Sequence, residues 1–457
     1  MKFYDRIKEL ETLAQIEKQS SKTACFTIMV GRRRTGKTSL LLRSSEDLAN
    51  SSFTGKLAGK SPSKSPSKKK VLYLFVSRNS EAVLCSQFQK QASEALGLQI
   101  HGTINRFADL FEQLLIFAQK EHYTLIIDEF QDFDNINRAI FSEIQNLWDR
   151  YKDKIKLNFI ACGSIYSLMM KIFENNKEPL FGRLTSKITL KPFSISVLKE
   201  ILKDHNPNYT AEDLLFLYAL TGGVSHYVAL LMNAKAVTFK KMLDFATRSD
   251  SPFLNEGKEL LVSEFGRDYS TYFSILQLIA AGKTTQSEID SIIGKNTGAY
   301  LANLENQYSL VVKNKPMFSK PESRNAHWSI GDNFLHFWFR FIYPNQALVE
   351  MGKFDLLKLY ISDNYEQYSG LLLEKYFRQR FAEEERITSI GNFWNNNSEN
   401  EIDLIALNDF DKTAVIAEIK RNPKKINLQT LEMKTASIQK ELARYKVLLK
   451  ALSLKDL

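Results

Sequence analysis

The sequence predicts an α/β protein. Its first part is expected to be a mainly parallel sheet covered by helices on both faces, followed by a helical stretch and a second, smaller α/β unit. Three observations lead there. The apolar runs ACFTIMV, VLYLFVS, YTLIIDEF, KLNFIACGS and KITLKPF alternate with helical segments, the pattern of parallel strands joined by crossover helices. From about 195 to 250 the chain reads as helix. Near the C-terminus, in NEIDLIALNDFDKTAVIAEIKRN (400–422), two apolar runs flank a polar turn, and carboxylates stand inside both.

The elements follow in order. In FYDRIKELETLAQIEK, Ile7, Leu10, Leu13 and Ala14 recur at helical spacing and predict an amphipathic helix. ACFTIMV reads as a buried strand and TSLLLRSSEDLAN as a helix. Residues 51–70, SSFTGKLAGKSPSKSPSKKK, consist mostly of Ser, Pro, Gly and Lys and cannot bury apolar surface. They are expected to be a disordered insertion within a domain, because VLYLFVS resumes as a buried strand. Residues 268–318 read as three helices and a strand pair, the order of a winged helix. After about 346 a new unit begins with long helices and ends in the charged hairpin and a basic helical tail. The expected domains are therefore 1–195, a helical region at 196–255, a winged helix at 256–345, and a C-terminal α/β unit at 346–457.

Composition narrows the setting. The 457 residues are 44% hydrophobic and 25% charged, an ordinary globular balance. The net charge is +10, but Lys56, Lys60, Lys64, Lys68, Lys69 and Lys70 all lie in the insertion. The rest carries about +4, too little to argue for a nucleic-acid partner. Cys25, Cys85 and Cys162 are isolated, which suits buried free thiols in a reducing cytosol rather than disulfides or a zinc site. The start, MKFYDRIKEL, is too charged for a signal peptide. FLHFWFRFIYP contains His336 and Arg340 and is shorter than the roughly 20 apolar residues a membrane span needs. A soluble, cytoplasmic protein with no membrane partner is expected.

One motif carries direct chemistry. GRRRTGKTS, Gly31 to Ser39, follows a strand, opens a helix and fits G-x-x-x-x-G-K-[ST]. Gly31 and Gly36 let the backbone wrap closely, and the loop amides, including that of Thr35, present positive ends to phosphate. Lys37 is placed to reach the terminal phosphates and Thr38 to ligate Mg²⁺. Arg32, Arg33 and Arg34 cradle phosphate through their backbone, which leaves their side chains for local potential, a neighbouring domain or solvent. The run LIIDEF ends in Asp128, a second Mg²⁺ residue, and Glu129, placed to orient or deprotonate the attacking water. Such a pair favours ATP hydrolysis over binding alone. Ser164 ends the next strand, where it could sense the γ-phosphate or serve as a helix cap. Arg183, on the loop before the last strand, reads equally as an arginine finger or a surface ion pair.

These residues carry a resemblance. Phe3, Arg6, Glu9 and Leu10, then GRRRTGKT, LIIDEFQ, CGS and PLFGR, resemble the archaeal-type ATPase family, in the signal-transduction class of P-loop ATPases related to AAA+ proteins. The resemblance implies an additional-strand (ASCE) sheet, a helical lid and a winged helix after it. TGGVSHYV (221–228) resembles the family's Gly-Gly-x-Pro lid motif, with Ser225 where proline is usual. The third helix of the expected winged helix lies in NTGAYLANLENQYSL, which contains Glu305 and no Lys or Arg. A helix that reads bases and grips phosphate should be more basic, so a lid or interaction role is preferred there.

The C-terminal hairpin reads as a second site. Strand alternation puts Glu401 and Asp403 on one face, with Ile402 and Leu404 on the other. It puts Glu418 and Lys420 together on the next strand. The spacing D-(x)14-E-x-K could hold Mg²⁺ between Asp403 and Glu418, with Lys420 orienting water or stabilising developing charge. Solvated cross-strand charge pairs are the plainer alternative. Glu374, in the apolar helix GLLLEKYF, adds another acid. Together with IGNFW, EIDLIAL and AEIK, these residues resemble the C-terminal domain often attached to such ATPases, itself similar to PD-(D/E)XK nucleases. The expected function is a Mg²⁺-dependent ATP-hydrolysing switch with a nuclease-like C-terminal domain, or else an ATP-controlled scaffold with an inert hairpin. Candidate partners are ATP, DNA or RNA, and another protein or a second copy of the chain.

Overall fold

The computed structural model describes residues 1–50, 69–265, 269–320, 322–323, 325–395 and 400–457. The expected disordered insertion therefore lies, apart from Lys69 and Lys70, outside the described residues. The chain forms two compact units, Asp5–Lys191 and Pro192–Leu457, the latter joined by Met1–Tyr4.

The Asp5–Lys191 unit is built on five parallel strands: β1 (Cys25–Val30), β2 (Val71–Phe75), β3 (Tyr123–Asp128), β4 (Leu157–Gly163) and β5 (Ser186–Thr189). Their order is β2-β3-β4-β1-β5, so β4 is inserted between the loop-bearing β1 and β3, as the resemblance implied. Both faces are buried, and strand alternation divides them. Phe26, Ile28 and Val30 pack with Phe111, Ile127 and Phe159 on one side. Cys25 and Met29 pack with Leu13, Ile16 and Leu40 on the other, beneath the predicted helix Ile7–Ser20. Glu17 is buried at that helix's end. It accepts hydrogen bonds from Thr124 Oγ1 (2.7 Å) and Asn158 Nδ2 (2.9 Å), which tie the helix to β3 and β4.

In the other unit, five helices run between Ile195 and Phe265. Helix Ala211–Thr221 is buried from Asp213 onward and starts at a capping box made by Thr210 and Asp213. It ends at Gly222, and Ser225 opens the next helix. Gly223 is required in this turn: its φ is 77°, and a Cβ there would lie 2.5 Å from Phe193 O. Helices Tyr269–Ala280, Gln286–Ile293 and Gly298–Asn306 follow, then the antiparallel pair β6 (Val311–Asn314) and β7 (His327–Ile330). That is the order expected from the sequence.

The 29-residue helix Phe354–Ala382 lies on a four-stranded sheet of β8 (Ser389–Trp394), β9 (Glu401–Asn408), β10 (Thr413–Lys420) and β11 (Lys446–Ser453). One hydrophobic cluster runs from the helices after Phe193 through Trp338 and Tyr376 to Leu404 and Ile419. The regions expected as lid, winged helix and C-terminal domain thus share a core.

Two expectations are corrected. The basic tail is not all helix: after the helices Leu428–Ala436 and Gln439–Leu442 it ends in β11, which pairs in parallel with β10. Alternation along β9 is also broken. Gly391 pairs with Ile405 and Phe393 with Ile402, so Asp403 and Leu404 together oppose Asn392. This β-bulge sends Ile402 toward Leu431 and Leu442 on one face, and Leu404 toward the long helix on the other.

Among the described residues no helix is long and apolar enough to cross a membrane. All three cysteines are free and buried.

Candidate functional sites

The first site forms at the C-terminal ends of β1, β3 and β4, where a parallel sheet opens a crevice. Gly31 fits there because a Cβ would meet Leu190 O at 2.6 Å. Arg34 and Gly36 adopt φ of 69° and 89°, which curls the loop before the helix Lys37–Asn50. Thr35 Oγ1 donates to Arg32 O (2.8 Å) and closes the loop on itself. Lys37 is buried, and its ammonium donates to Gly31 O (2.7 Å) and Arg32 O (2.9 Å). Burial pulls its pKa below the usual lysine value, while Cys162, Glu129 and Asp128 act the other way. Thr38 and Ser39 are exposed at the helix start.

Thr38 Oγ1 donates to Asp128 Oδ2 (2.9 Å), so the two expected Mg²⁺ residues are already together. Tyr73 OH donates to the same oxygen (2.6 Å). Burial and the adjacent carboxylate push the Tyr73 phenol far up, which keeps it a donor. Glu129 leaves the strand in a left-handed conformation, φ 52°, and its amide donates to Asp128 Oδ1. Its carboxylate accepts from Ser164 Oγ (2.7 Å) and Gln131 Nε2 (2.5 Å). Arg33 Nε reaches Ser164 Oγ at 3.4 Å and links the phosphate loop to that chain. The donor set fits a Mg²⁺ nucleotide: a lysine at the loop, a hydroxyl and a carboxylate for the cation, and an oriented second carboxylate.

Arg183 is not brought to this cluster. It is 3.1 Å from Asp149 and donates to Phe181 O, the ion-pair alternative. Arg6 is 5% exposed and donates to Lys191 O (2.8 Å) and, at 3.5 Å, to Thr35 O, which gives the N-terminal motif a role beside the loop. Sequence reasoning missed Tyr73 and Gln131. Only the inward alternation of VLYLF and the nearness of Gln131 to Glu129 hinted at them.

A glycine guards this arrangement. A Cβ at Gly163 would stand 2.5 Å from Gln131 Oε1 and run into Met169. Gly163→Ala should push Gln131 off Glu129 and lower ATP turnover by about tenfold or more, since small misplacements of catalytic groups are costly. Turnover beside an ATP-binding isotherm checks this, with binding expected to change less than turnover.

The second site lies on β9 and β10. Beside the bulge, Asp403 O accepts from Arg378 Nη1 (3.1 Å). Asp403 is 4% exposed, and its Oδ2 accepts from Ile419 N (2.7 Å) and Lys420 Nζ (3.0 Å). Lys420 Nζ also lies 3.2 Å from Glu418, whose other oxygen is 3.1 Å from Lys434 Nζ. The expected triad is thus assembled, with the Lys420 ammonium bridging the two carboxylates. Burial would lower the Lys420 pKa, but Asp403 and Glu418 outweigh it and raise it to about 12. Glu374 is 3.6 Å from Arg378. Burial and then Asp403 push its carboxyl up to about 8, with Arg378 opposing. Two carboxylates on neighbouring strands suit a hard divalent cation, but Lys420 holds the place between them. Among the described residues no three His, Cys, Asp or Glu side chains converge as metal ligands.

Residues 3–231, which contain the whole first site, match a family described as an ATPase domain predominantly from Archaea. The chain belongs to this family. Membership makes the first unit an ATP-binding ATPase domain. Residues 338–445 match a second family, described as archaeal and bacterial proteins of unknown function. A protein of Methanocaldococcus jannaschii is 29% identical over 428 residues, 92% of this chain and 87% of that one. Among solved structures, the Walker-type ATPase of Pyrococcus abyssi is similar with TM-score 0.53 and 17% identity, over 74% of this chain and 96% of its own. The Aeropyrum pernix ORC2 protein, solved as ADPNP–ADP complexes, is similar with TM-score 0.51 and 14% identity, over 77% and 96%. Both likenesses show the fold alone.

Proposed function

We propose that this archaeal-family ATPase hydrolyses ATP with Mg²⁺ at the phosphate loop and uses the cycle to control its C-terminal unit. One observation carries the reading. Glu129 is held by Ser164 and Gln131 one residue beyond Asp128, which is already bonded to Thr38. A site that only bound nucleotide would not need the second, oriented carboxylate. In this reading Lys37 and the loop amides bind the phosphates, Glu129 orients and accepts a proton from the attacking water, and Ser164 keeps Glu129 in place. Mg²⁺, when bound at Thr38 and Asp128, supplies charge neutralisation. Phosphate release from ATP tests this: turnover is expected with Mg²⁺, and is expected to be lost in EDTA and in Lys37→Ala.

In the same proposal, residues 196–255 act as a lid, 256–345 as a winged helix, and 346–457 as a nuclease-like domain. Asp403, Glu418, Lys420 and Glu374 form the site that would act on phosphodiesters. A second reading, an ATP-controlled scaffold with an inert hairpin, is favoured by one observation: both carboxylates are already paired with Lys420 and Lys434. A cleavage assay separates the two. It uses single-stranded and duplex DNA and RNA, Mg²⁺ or Mn²⁺, with and without ATP. Cleavage lost in Lys420→Ala supports the nuclease. Cleavage unchanged in Lys37→Ala removes nucleotide control.

A further inference from the structure

A cavity of about 470 Å³ lies within the Pro192–Leu457 unit, between β6–β7, the long helix and β8. This is the size range of small-ligand pockets. One wall is aromatic: the His327 and Trp394 rings are 4.9 Å apart at 76°. Trp394 Nε1 donates to Asn325 Oδ1 (2.9 Å), which fixes the indole. Leu372 and Ile279 supply apolar surface, and Asn392 and Ser329 supply donors and acceptors beside it.

The lining also carries charge of both signs, Glu374 and Glu401 with Lys375 and Arg378. Arg378 donates to Asp403 O, so the charged part adjoins the Asp403–Lys420 pair. Neither a purely apolar ligand nor a simple anion matches this lining. Aromatic and aliphatic walls suit a flat ring, amides suit a ring with hydrogen-bonding edges, and Lys375 and Arg378 in the lining supply positive charge for an attached phosphate.

We infer that this cavity takes one unpaired nucleobase of a nucleic-acid strand whose backbone passes the Asp403–Lys420 pair. Only the path of the backbone rests on the nuclease-like reading. A base inside a duplex cannot enter without unstacking, so a single strand is the favoured ligand.

The test is binding of the full chain in EDTA, where no metal-dependent cleavage occurs. The probes are a fluorescent oligothymidylate of about ten nucleotides and an abasic strand of the same length and charge. Wild type is expected to bind the thymidylate strand about tenfold tighter than the abasic one. Leu371 lines the cavity and is 58% exposed, so Leu371→Trp can obstruct the pocket without disturbing the core. That variant is expected to bind thymidylate no better than the abasic strand. Equal affinity of wild type for the two strands, binding of neither, or an unchanged preference in Leu371→Trp overturns the assignment. Base-dependent binding by a protein that never cleaves would keep the cavity and remove the nuclease. Cleavage with base-independent binding would do the reverse.

Discussion

Glu129→Gln is expected to lower ATP turnover by a factor of about 10² to 10⁴ while leaving ATP binding nearly unchanged. The substitution keeps size and shape. Ser164 Oγ and Gln131 Nε2 can still donate to the new amide oxygen, at positions where they now hold the carboxylate. What is lost is the negative charge and the proton-accepting oxygen. The groups expected to hold the phosphates, Lys37 and the loop from Gly31, are untouched, as is the Thr38–Asp128 bond. Turnover and affinity should therefore separate. Lys37→Ala should instead lose both together.

The second large effect concerns stability as much as chemistry. Asp403→Ala is expected to destabilise the protein by about 2–4 kcal/mol. It removes the acceptor of the Ile419 amide and one of the two acids that hold Lys420, at a site 4% exposed. Lys420→Ala is milder, at about 1 kcal/mol or less, because its side chain is 37% exposed and Asp403 keeps the Ile419 amide. Glu418 keeps Lys434 as well. Thermal melts of the two variants check the difference. Lys420→Ala is thus the cleaner probe of cleavage, since a loss of activity in Asp403→Ala would mix chemistry with unfolding.

The two sites differ in how far the sequence shows them. Gly31 to Ser39 is one contiguous loop, and its function is set by local backbone chemistry, so its residues can be read directly. Asp128 and Glu129 are readable because they end an unmistakable apolar strand. Tyr73 is different. It reaches Asp128 only because β2 lies beside β3 in parallel, a pairing that no local pattern encodes. The hairpin was legible as a cluster: Asp403, Glu418 and Lys420 do meet. Its bulge was not, because alternation assumes an unbroken ladder, and the extra residue of β9 is defined only against β8. β11 was misread for a related reason. Val447, Leu448, Leu449 and Leu452 fit helix and strand periods alike, and the edge position leaves Val447 and Leu448 exposed at 37% and 41%.

The most direct test of ATP hydrolysis at this site is a single-turnover experiment. Labelled ATP is held by excess protein with Mg²⁺, and its conversion to ADP is followed in wild type and in Glu129→Gln. The predicted result is that wild type converts its bound ATP while the variant retains ATP over the same period. Equal conversion in both proteins, or stable ATP bound to wild type, would contradict the account.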